Sequence, residues 1–429
     1  MNKKVLLVNC AISMEGRKKI NEAVSSPSIG LLSIASVLKM HGYEVRILDF
    51  FVERITGKQF VSFLEEYNPG VIGFSVYTRT VPFLDKMTQI LKKIHYKGII
   101  VAGGPHASFC QEEMLRKYHV DYVISGEGEF SFLKLMEHIN YGYPIAKVKG
   151  VSYMEGSEIC INPTSGQIEI LDALPLQPIG LIDVDKYSSP FSIITSRGCP
   201  GNCIYCASRA LQGRKYRMRS AENIICELIY MSKALNKVTF LILDDTFTAD
   251  VVRFKKFANL IKKSDIPFQF RIESRGDVLN YEILKMLKEI NCKIIHVGIE
   301  SGSQEVISQI GKKIDLESTI EKLYQGSQLG IHIVASFIIG HYCDTEQTVE
   351  ESLALMKKLT EYGIEVSVAS LTPFPGTPLY NNRDKLQLHI HANSWQEYDF
   401  GNVIVSTKYL SREKLQEYLF RAAEICMQQ

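Results

Sequence analysis

The sequence predicts an α/β protein whose N-terminal part is a doubly wound, five-stranded parallel sheet. A partial (β/α)6 barrel of the TIM type follows it, and a small C-terminal helical region comes last. Three observations predict this fold. Apolar runs alternate with helical patterns in the first ~145 residues, the alternation resumes near residue 191, and 429 residues exceed what one ordinary core accommodates.

The N-terminal domain, residues 1–145, carries five apolar runs that are typical of parallel strands covered on both faces. The runs are VLLVN (5–9), VRILDF (45–50), VIGFSV (71–76), IIVAG (99–103) and YVIS (122–125). Helical patterns separate them, as in Rossmann-like or flavodoxin-like domains. In such domains the ligand binds at the carboxyl ends of the strands.

Residues 146–190 differ in composition and are interpreted as a linker with a hairpin. A turn at EGSE separates two short strand patterns, and three prolines follow in LDALPLQPIGLIDVDKYSSP. We therefore expect this segment to connect two folded domains.

Residues 191–380 carry six further strand patterns with helical patterns between them. The strand patterns are FSIITSR (191–197), VTFLILD (238–244), PFQFRIES (267–274), KIIHVGIE (293–300), IHIVASFIIG (331–340) and EVSVASL (365–371). Six strands suit a partial barrel, because the usual closed barrel needs eight. Residues 381–429 contain Trp395 and an amphipathic final helix near 411–427.

Composition excludes several classes of partner. The formal net charge is +2 and no long run of lysine or arginine occurs, so we expect no nucleic-acid partner. No segment reaches about 18 consecutive apolar residues, so we expect no membrane span. Of the ten cysteines, seven are scattered singly, which is typical of small buried hydrophobic side chains in a reducing, cytoplasmic setting.

Three cysteines are concentrated in SRGCPGNCIYCASR, at the carboxyl end of the first predicted barrel strand. Cys199, Cys203 and Cys206 form a CxxxCxxC pattern, and the Pro-Gly-Asn turn lets the loop wrap a compact metal centre. Three thiolates are too few for a closed zinc site, unless a distant Cys or His completes it. A [4Fe-4S] cluster has four corners, so three ligands leave one iron open.

This motif, with Tyr205 before its last cysteine, resembles that of the radical S-adenosylmethionine (radical SAM) superfamily. The resemblance implies that the open iron binds the amino and carboxylate groups of S-adenosylmethionine. One electron from the cluster then cleaves the sulfonium, and a 5′-deoxyadenosyl radical removes hydrogen from the substrate.

Other stretches resemble those of radical SAM proteins with an N-terminal cobalamin-binding domain. In the barrel they are LDDTFTAD (243–250), FRIESRGD (270–277), VGIESGS (297–303), SFIIGH (336–341) and TPFPGTPLY (372–380). In the first domain they are PSIGLLSIASVLKMHGYEVRILD, VIGFSVYT, VAGGPHAS and ISGEGE. The resemblance covers about residues 4–380.

Polar residues at the ends of the barrel strands are candidates for binding S-adenosylmethionine. The candidates are Tyr205, Asp244, Asp245, Glu273, Arg275, Glu300 and Ser336. Neighbouring strand residues point to opposite faces, so we expect one of the two aspartates to face the pocket. The resemblance places the methionine amine near this pair, and Arg275 is suited to the carboxylate. Alternatively, Glu273 and Arg275 neutralise each other.

Small and polar residues after the strands of the first domain are candidates for cobalamin binding. They are Ser75, Gly103, Gly104, Gly126 and Glu127. The D-x-H-x-x-G motif, which supplies a histidine to cobalt in classical cobalamin domains, is replaced by NCAISMEG. His106 is a candidate substitute ligand to cobalt. The alternative is a vestigial domain that binds no corrin.

The resemblance implies a cobalamin-dependent radical SAM enzyme that methylates an unactivated carbon or phosphorus centre through a 5′-deoxyadenosyl radical and methylcobalamin. We expect a small-molecule or peptide substrate and an electron donor such as flavodoxin or ferredoxin. No catalytic residue is assigned. The alternatives are an oxidative cyclase, dehydratase or epimerase with a vestigial or non-methylating cobalamin domain, and a non-catalytic iron–sulfur sensor.

Overall fold

The computed structural model describes residues 2–12, 26–53, 55–164, 167–188 and 191–428. The chain divides into two compact units, Met1–Ser189 and Pro190–Gln429. Among the described residues, no helix combines the length and the apolar composition that crossing a bilayer requires.

The first unit alternates strands and helices as the apolar runs predict. Its elements are β1 (Lys4–Asn9), α1 (Ile29–Met40), β2 (Glu44–Asp49), α2 (Gly57–Tyr67), β3 (Val71–Ser75), α3 (Val81–Lys93), β4 (Ile99–Gly103), α4 (Pro105–Phe109), α5 (Gln111–Lys117), β5 (Tyr122–Ile124), α6 (Gly128–Tyr141), β6 (Val151–Glu155) and β7 (Glu158–Ile161). Short 3₁₀ turns occupy Thr78–Thr80, Ile145–Lys147, Leu171–Ala173, Ile179–Leu181 and Val184–Lys186.

The strands of this unit form one sheet in the order β2-β1-β3-β4-β5-β6-β7. The first five are parallel, which confirms the predicted doubly wound sheet, and their order is that of flavodoxin-like folds. The β6–β7 hairpin, assigned above to the linker, extends this sheet because β6 pairs antiparallel with β5. The hairpin thereby covers an edge of β5 that would otherwise expose unpaired backbone groups.

The core of the first unit forms where α1 and α6 pack on the sheet. Its buried side chains include Leu7, Val71, Val101, Phe132 and Val151. Gly73 on β3 makes room for this packing. A Cβ atom at Gly73 would lie 2.8 Å from the ring of Phe132 and 3.1 Å from Leu7.

The second unit contains the predicted barrel strands and the C-terminal region. Its elements are β8 (Phe191–Ile193), β9 (Ser196–Arg197), α7 (Ser208–Gln212), β10 (Arg217–Met218), α8 (Ala221–Leu235), β11 (Thr239–Ile242), α9 (Val251–Lys262), β12 (Gln269–Arg275), α10 (Tyr281–Glu289), β13 (Cys292–Glu300), α11 (Gln304–Gln309), α12 (Leu316–Gln328), β14 (His332–Ile339), α13 (Glu346–Glu361), β15 (Glu365–Ser370), α14 (Pro378–Asn381), β16 (His389–Ile390), β17 (Val405–Ser406) and α15 (Arg412–Met427). Its 3₁₀ turns are Gly276–Val278 and Trp395–Glu397.

Six parallel strands of this unit follow one another in chain order, β8-β11-β12-β13-β14-β15. This arrangement confirms the predicted partial barrel. Aromatic side chains fill the layer between β11, β12 and α9, where the ring of Phe257 lies 5.3 Å from that of Phe247 and 5.6 Å from that of Phe270. The final helix α15 packs on β15 and α13 through one buried face.

The opposite face of the barrel strands is polar, as the alternation predicts. On β12, Phe270, Ile272 and Ser274 are buried, whereas Glu273 and Arg275 retain access to solvent. The predicted first strand, 191–197, is shorter in the structure. It ends at Ile193, and Ser196–Arg197 pairs instead with Arg217–Met218 in a separate antiparallel ladder.

We predict that Gly73→Ala lowers the free energy of unfolding of the first unit by about 1–3 kcal/mol, because the added methyl group overpacks the contact with Phe132. The matched control is Gly30→Ala in α1, where a Cβ atom meets nothing within 4 Å. This control should change stability by less than about 1 kcal/mol, or raise it. Denaturant unfolding followed by hydrogen exchange of β3 and α6 distinguishes the two, and equal effects would contradict the packing account.

Candidate functional site

The three clustered cysteines lie in the loop between β9 and α7. Cys199, Cys203 and Cys206 are each half-buried free thiols. Burial raises the pKa of Cys199 and raises that of Cys206 to about 11. A bound metal must therefore displace thiol protons, as thiolate ligands generally require.

Backbone hydrogen bonds fix this loop at three points. The N–H of Cys199 donates to the carbonyl of Gly213 at 3.2 Å, and the N–H of Ile204 donates to the carbonyl of Ile310 at 3.0 Å. The carbonyl of Ile204 in turn accepts from the N–H of Leu379 at 2.9 Å. Segments far apart in the chain thus fix the position of the cysteine loop.

Arg275, at the end of β12, reaches this loop. A Cβ atom on Gly201 would lie 2.6 Å from Nη1 of Arg275 and 3.3 Å from Sγ of Cys199. Only glycine leaves room for the guanidinium here. Arg275 pairs with Asp277, and not with Glu273, through two bonds of 2.9 Å from Nε and Nη2.

Asp244 follows β11, and both of its carboxylate oxygens accept hydrogen bonds from other residues of the protein. It accepts from the backbone N–H groups of Thr195 at 2.6 Å and Ser196 at 3.0 Å, and from the Ser196 hydroxyl at 2.7 Å. The Thr195 hydroxyl donates to the same carboxylate, and Nη2 of Arg253 lies 3.7 Å from Oδ2. Asp244 therefore fastens the chain after β8, which explains why that strand ends early.

Asp245 has an oxygen that the described residues leave unsatisfied. Its Oδ1 accepts from the Ser208 hydroxyl at 2.6 Å, whereas its Oδ2 is buried and has no hydrogen-bond partner among them. Burial raises the pKa of Asp245, the Ser208 hydrogen bond opposes this, and the charge of Asp244 adds to it. The Asp245 charge also raises the pKa of Cys199 and Cys206, so the carboxylate lies near the cysteine loop.

Glu273 lies on the polar face of β12, where the charges of Asp245 and Asp244 act on it. Within the described part of the chain, no side-chain hydrogen bond reaches its carboxylate, which is open to solvent. Desolvation by the surrounding strand ends raises its pKa, and the charges of Asp245 and Asp244 add to the shift.

Glu300 and Ser336 are each paired with another side chain. Glu300 is buried and accepts from Nζ of Lys312 at 2.6 Å. Gly298 makes room for this ion pair, because a Cβ atom there would lie 2.2 Å from Oε1 of Glu300. The hydroxyl of Ser336 lies 2.9 Å from that of Ser367.

Two further candidate functional residues, Lys312 and His341, are not predicted from the sequence. Lys312 follows a glycine in GKK, which looks like a solvated loop. His341 is buried, and its ring lies 5.6 Å from that of Tyr205, whose side chain is hydrogen-bonded to Cys203. Burial lowers the pKa of His341, and its Nε2 has no hydrogen-bond partner in the described residues.

In the first unit, the cobalamin candidates lie at the carboxyl ends of β3, β4 and β5. Ser75 and Gly103 are direct neighbours in the sheet. Gly104, at φ 94°, is needed for close contact with Val76, whose backbone N would lie 2.9 Å from a Cβ atom. Gly126 faces open space.

Two further stretches that belong to the predicted cobalamin site are Glu127 and the NCAISMEG segment. Glu127 Oε2 accepts from the N–H of Ile168 at 2.8 Å, so the carboxylate also holds a neighbouring loop. Residues 13–16 of the NCAISMEG stretch lie outside the described residues.

Known proteins resemble both units. Residues 23–135 match the family model of the B12 binding domain, and residues 193–356 match that of the Radical SAM superfamily. An uncharacterized methyltransferase of Pyrococcus horikoshii is 29% identical over 405 residues, which cover 93% of this chain and 87% of that protein. Cytidylyl-2-hydroxyethylphosphonate methyltransferase of Streptomyces wedmorensis is 25% identical over 414 residues, covering 82% of this chain and 76% of that enzyme.

A solved structure also shares the fold. It is the radical S-adenosylmethionine methyltransferase TsrM from Kitasatospora setae with cobalamin and a [4Fe-4S] cluster bound. The TM-score is 0.79 at 18% identity, over 99% of this chain and 89% of that chain. The two family matches fall on the two units in the order that the motifs indicate. The chain is therefore a radical SAM enzyme with an N-terminal B12-binding domain.

Proposed function

We propose that the chain is a cobalamin-dependent methyltransferase that acts on an unactivated carbon or phosphorus centre of a small molecule or peptide. The observation that carries this proposal is the buried, unsatisfied carboxylate oxygen of Asp245 beside the three-cysteine loop, in a chain whose residues 23–135 match a B12-binding domain. Buried polar groups normally have a hydrogen-bond partner, and a bound ligand would supply one for this oxygen.

Cys199, Cys203 and Cys206 would hold a [4Fe-4S] cluster. When bound, such a cluster with one open iron supplies the electron that cleaves S-adenosylmethionine. The protein's part is to hold three thiolates in a loop fixed at several backbone points and to keep them half-buried. Reduced flavodoxin or ferredoxin of the cytoplasm is the proposed electron donor.

Asp245 and Arg275 suit the two ends of the amino acid in S-adenosylmethionine. Oδ2 of Asp245 would accept from the ammonium group, which also relieves an uncompensated buried charge. Arg275 uses Nε and Nη2 for Asp277, which leaves Nη1, next to the cysteine loop, to donate to the carboxylate. Asp244 would act indirectly, by fixing the backbone from which its neighbour projects.

The remaining candidates would contact the nucleoside. Glu273 lies two residues before Arg275 on β12 and offers an exposed carboxylate. Ser336 offers a hydroxyl to the ribose. Glu300 has one oxygen committed to Lys312, so at most its second oxygen serves a ligand. Tyr205 would line the adenine side of the pocket.

Ser75, Gly103, Gly104, Gly126 and Glu127 remain the proposed cobalamin residues. The open space beside Gly126 and the adjacent positions of Ser75 and Gly103 support this, because ligands of such sheets sit at the carboxyl ends of the strands. His106 is buried, so it is not presented to an open face as a cobalt ligand. A corrin here would have no histidine from this chain's NCAISMEG stretch.

We predict that Asp245→Asn weakens S-adenosylmethionine binding by about 10-fold or more, since a hydrogen bond to a charged group contributes about 1.5–3 kcal/mol. Because its pKa is raised in the fold, ionised Asp245 disfavours folding at neutral pH, so removing the charge should leave stability unchanged or higher. Asp244→Asn is the matched control. It places an amide N–H group against donors and should lower stability by about 1–3 kcal/mol.

Equilibrium dialysis and thermal unfolding of the reconstituted protein measure the two effects separately. If Asp245→Asn bound S-adenosylmethionine normally and unfolded as easily as Asp244→Asn, the assignment of roles would be wrong.

Methyl transfer can be tested without the final substrate. The protein with rebuilt cluster and hydroxocobalamin is reduced and given S-adenosylmethionine with a trideuterated methyl group. We predict that mass spectrometry finds the label on the corrin and S-adenosylhomocysteine in solution. Cys203→Ala is the control for radical chemistry and should abolish 5′-deoxyadenosine formation. Formation of 5′-deoxyadenosine without labelled corrin would favour a cyclase, dehydratase or epimerase instead.

A further inference from the structure

A second cluster of metal-binding side chains lies in the first unit, on α4 and α5. His106, Cys110 and Glu113 each offer one ligand atom, and these atoms all lie within 4.8 Å of one another. The residues follow one another at intervals of four and three in the chain, and the turn between α4 and α5 brings them together. Cys110 sits at the junction of the two helices, with non-helical backbone angles.

The imidazole of His106 is oriented as in a metal ligand. It is buried, and its Nδ1 lies 3.1 Å from the hydroxyl of Thr78. With Nδ1 held by an oxygen, Nε2 is the atom that faces Glu113. Ligating histidines commonly have their other ring nitrogen held in this way.

The carboxylate of Glu113 is oriented as well. Its Oε1 accepts from the hydroxyl of Tyr118 at 3.0 Å and lies 3.5 Å from Nζ of Lys117. Its Oε2 lies 4.0 Å from Nε2 of His106. This separation is too long for a hydrogen bond. It is near the spacing of about 3.3–3.8 Å that two ligands of one tetrahedral zinc ion have.

The geometry points to a Zn²⁺ site formed by His106, Cys110 and Glu113. One nitrogen, one sulfur and one oxygen ligand suit this ion, and the fourth position would be left to water. Cys110 and Glu113 line a cavity of about 600 Å³ with Arg116, Lys117 and Ile161, which gives the ion an entry path. The site belongs to a different unit from the three-cysteine loop and does not depend on the proposed methyl transfer.

The protonation states are compatible with such a site. Burial lowers the pKa of His106 to about 4, with the Glu113 charge opposing this, so the ring is neutral at pH 7. Burial raises the pKa of Cys110 to about 12, and the Glu113 charge adds to it. Zinc binding must therefore displace the thiol proton into solution. The ion would tie α4 and α5 together directly after Gly103 and Gly104.

The test uses the full chain with its iron–sulfur cluster rebuilt in the absence of zinc. Excess ZnCl₂ is added and removed by desalting, and metals are counted by mass spectrometry. We expect about one zinc per chain in addition to the iron of the cluster. Cys110→Ser should lose at least 10-fold in zinc affinity, whereas Cys160→Ser, a change at another half-buried thiol of the same unit, should retain it.

Iron content and near-ultraviolet circular dichroism confirm that the variants are folded. A second readout uses Co²⁺ in a chain whose Cys199, Cys203 and Cys206 are replaced by alanine. A thiolate-to-cobalt charge-transfer band should be present there and absent when Cys110→Ser is added. A wild-type chain that retains no zinc, or a Cys110→Ser chain that retains as much, would overturn the proposal.

Discussion

The candidate active site depends on the buried carboxylate of Asp244. It receives two backbone N–H groups and two hydroxyl groups from Thr195 and Ser196, where β8 has ended and the cysteine loop is about to begin. Those N–H groups lie beyond the β8–β11 ladder, and leaving them unpaired in the interior is costly. Nη2 of Arg253, 3.7 Å from Oδ2, partly offsets the negative charge of the Asp244 carboxylate. The carboxylate thus joins the end of β11 to the start of the loop.

One consequence is that two neighbouring aspartates have different surroundings. Both carboxylate oxygens of Asp244 accept hydrogen bonds within the protein, whereas Oδ2 of Asp245 has no hydrogen-bond partner among the described residues. The other charges at this end of the barrel are largely paired, Arg275 with Asp277 and Glu300 with Lys312. Asp245 and Glu273 remain as a local excess of negative charge. Such an excess suits a ligand that carries an ammonium and a sulfonium group, which is the chemistry of S-adenosylmethionine.

The sequence predicts the strands of both units well, because apolar periodicity follows directly from burial on a pleated sheet. It also predicts the three cysteines, since their spacing is local. It does not tell Asp244 from Asp245, because the partners of Asp244 lie nearly fifty residues earlier in the chain. The sequence does not predict the role of Lys312 for the same reason, since only the fold brings it to Glu300. The β6–β7 hairpin follows prediction locally, but its attachment to β5 is a long-range pairing.

We conclude that this chain uses cobalamin together with a radical-generating cluster. Corrin content provides the test of this conclusion. The protein is purified without oxygen, its cluster is rebuilt, hydroxocobalamin is offered, and the excess is removed before the visible spectrum is recorded. About one corrin per chain is the predicted result, in keeping with a single B12-binding domain at residues 23–135. A value near zero with a complete cluster would contradict the claim, and the first unit would then be a fold that has lost its ligand.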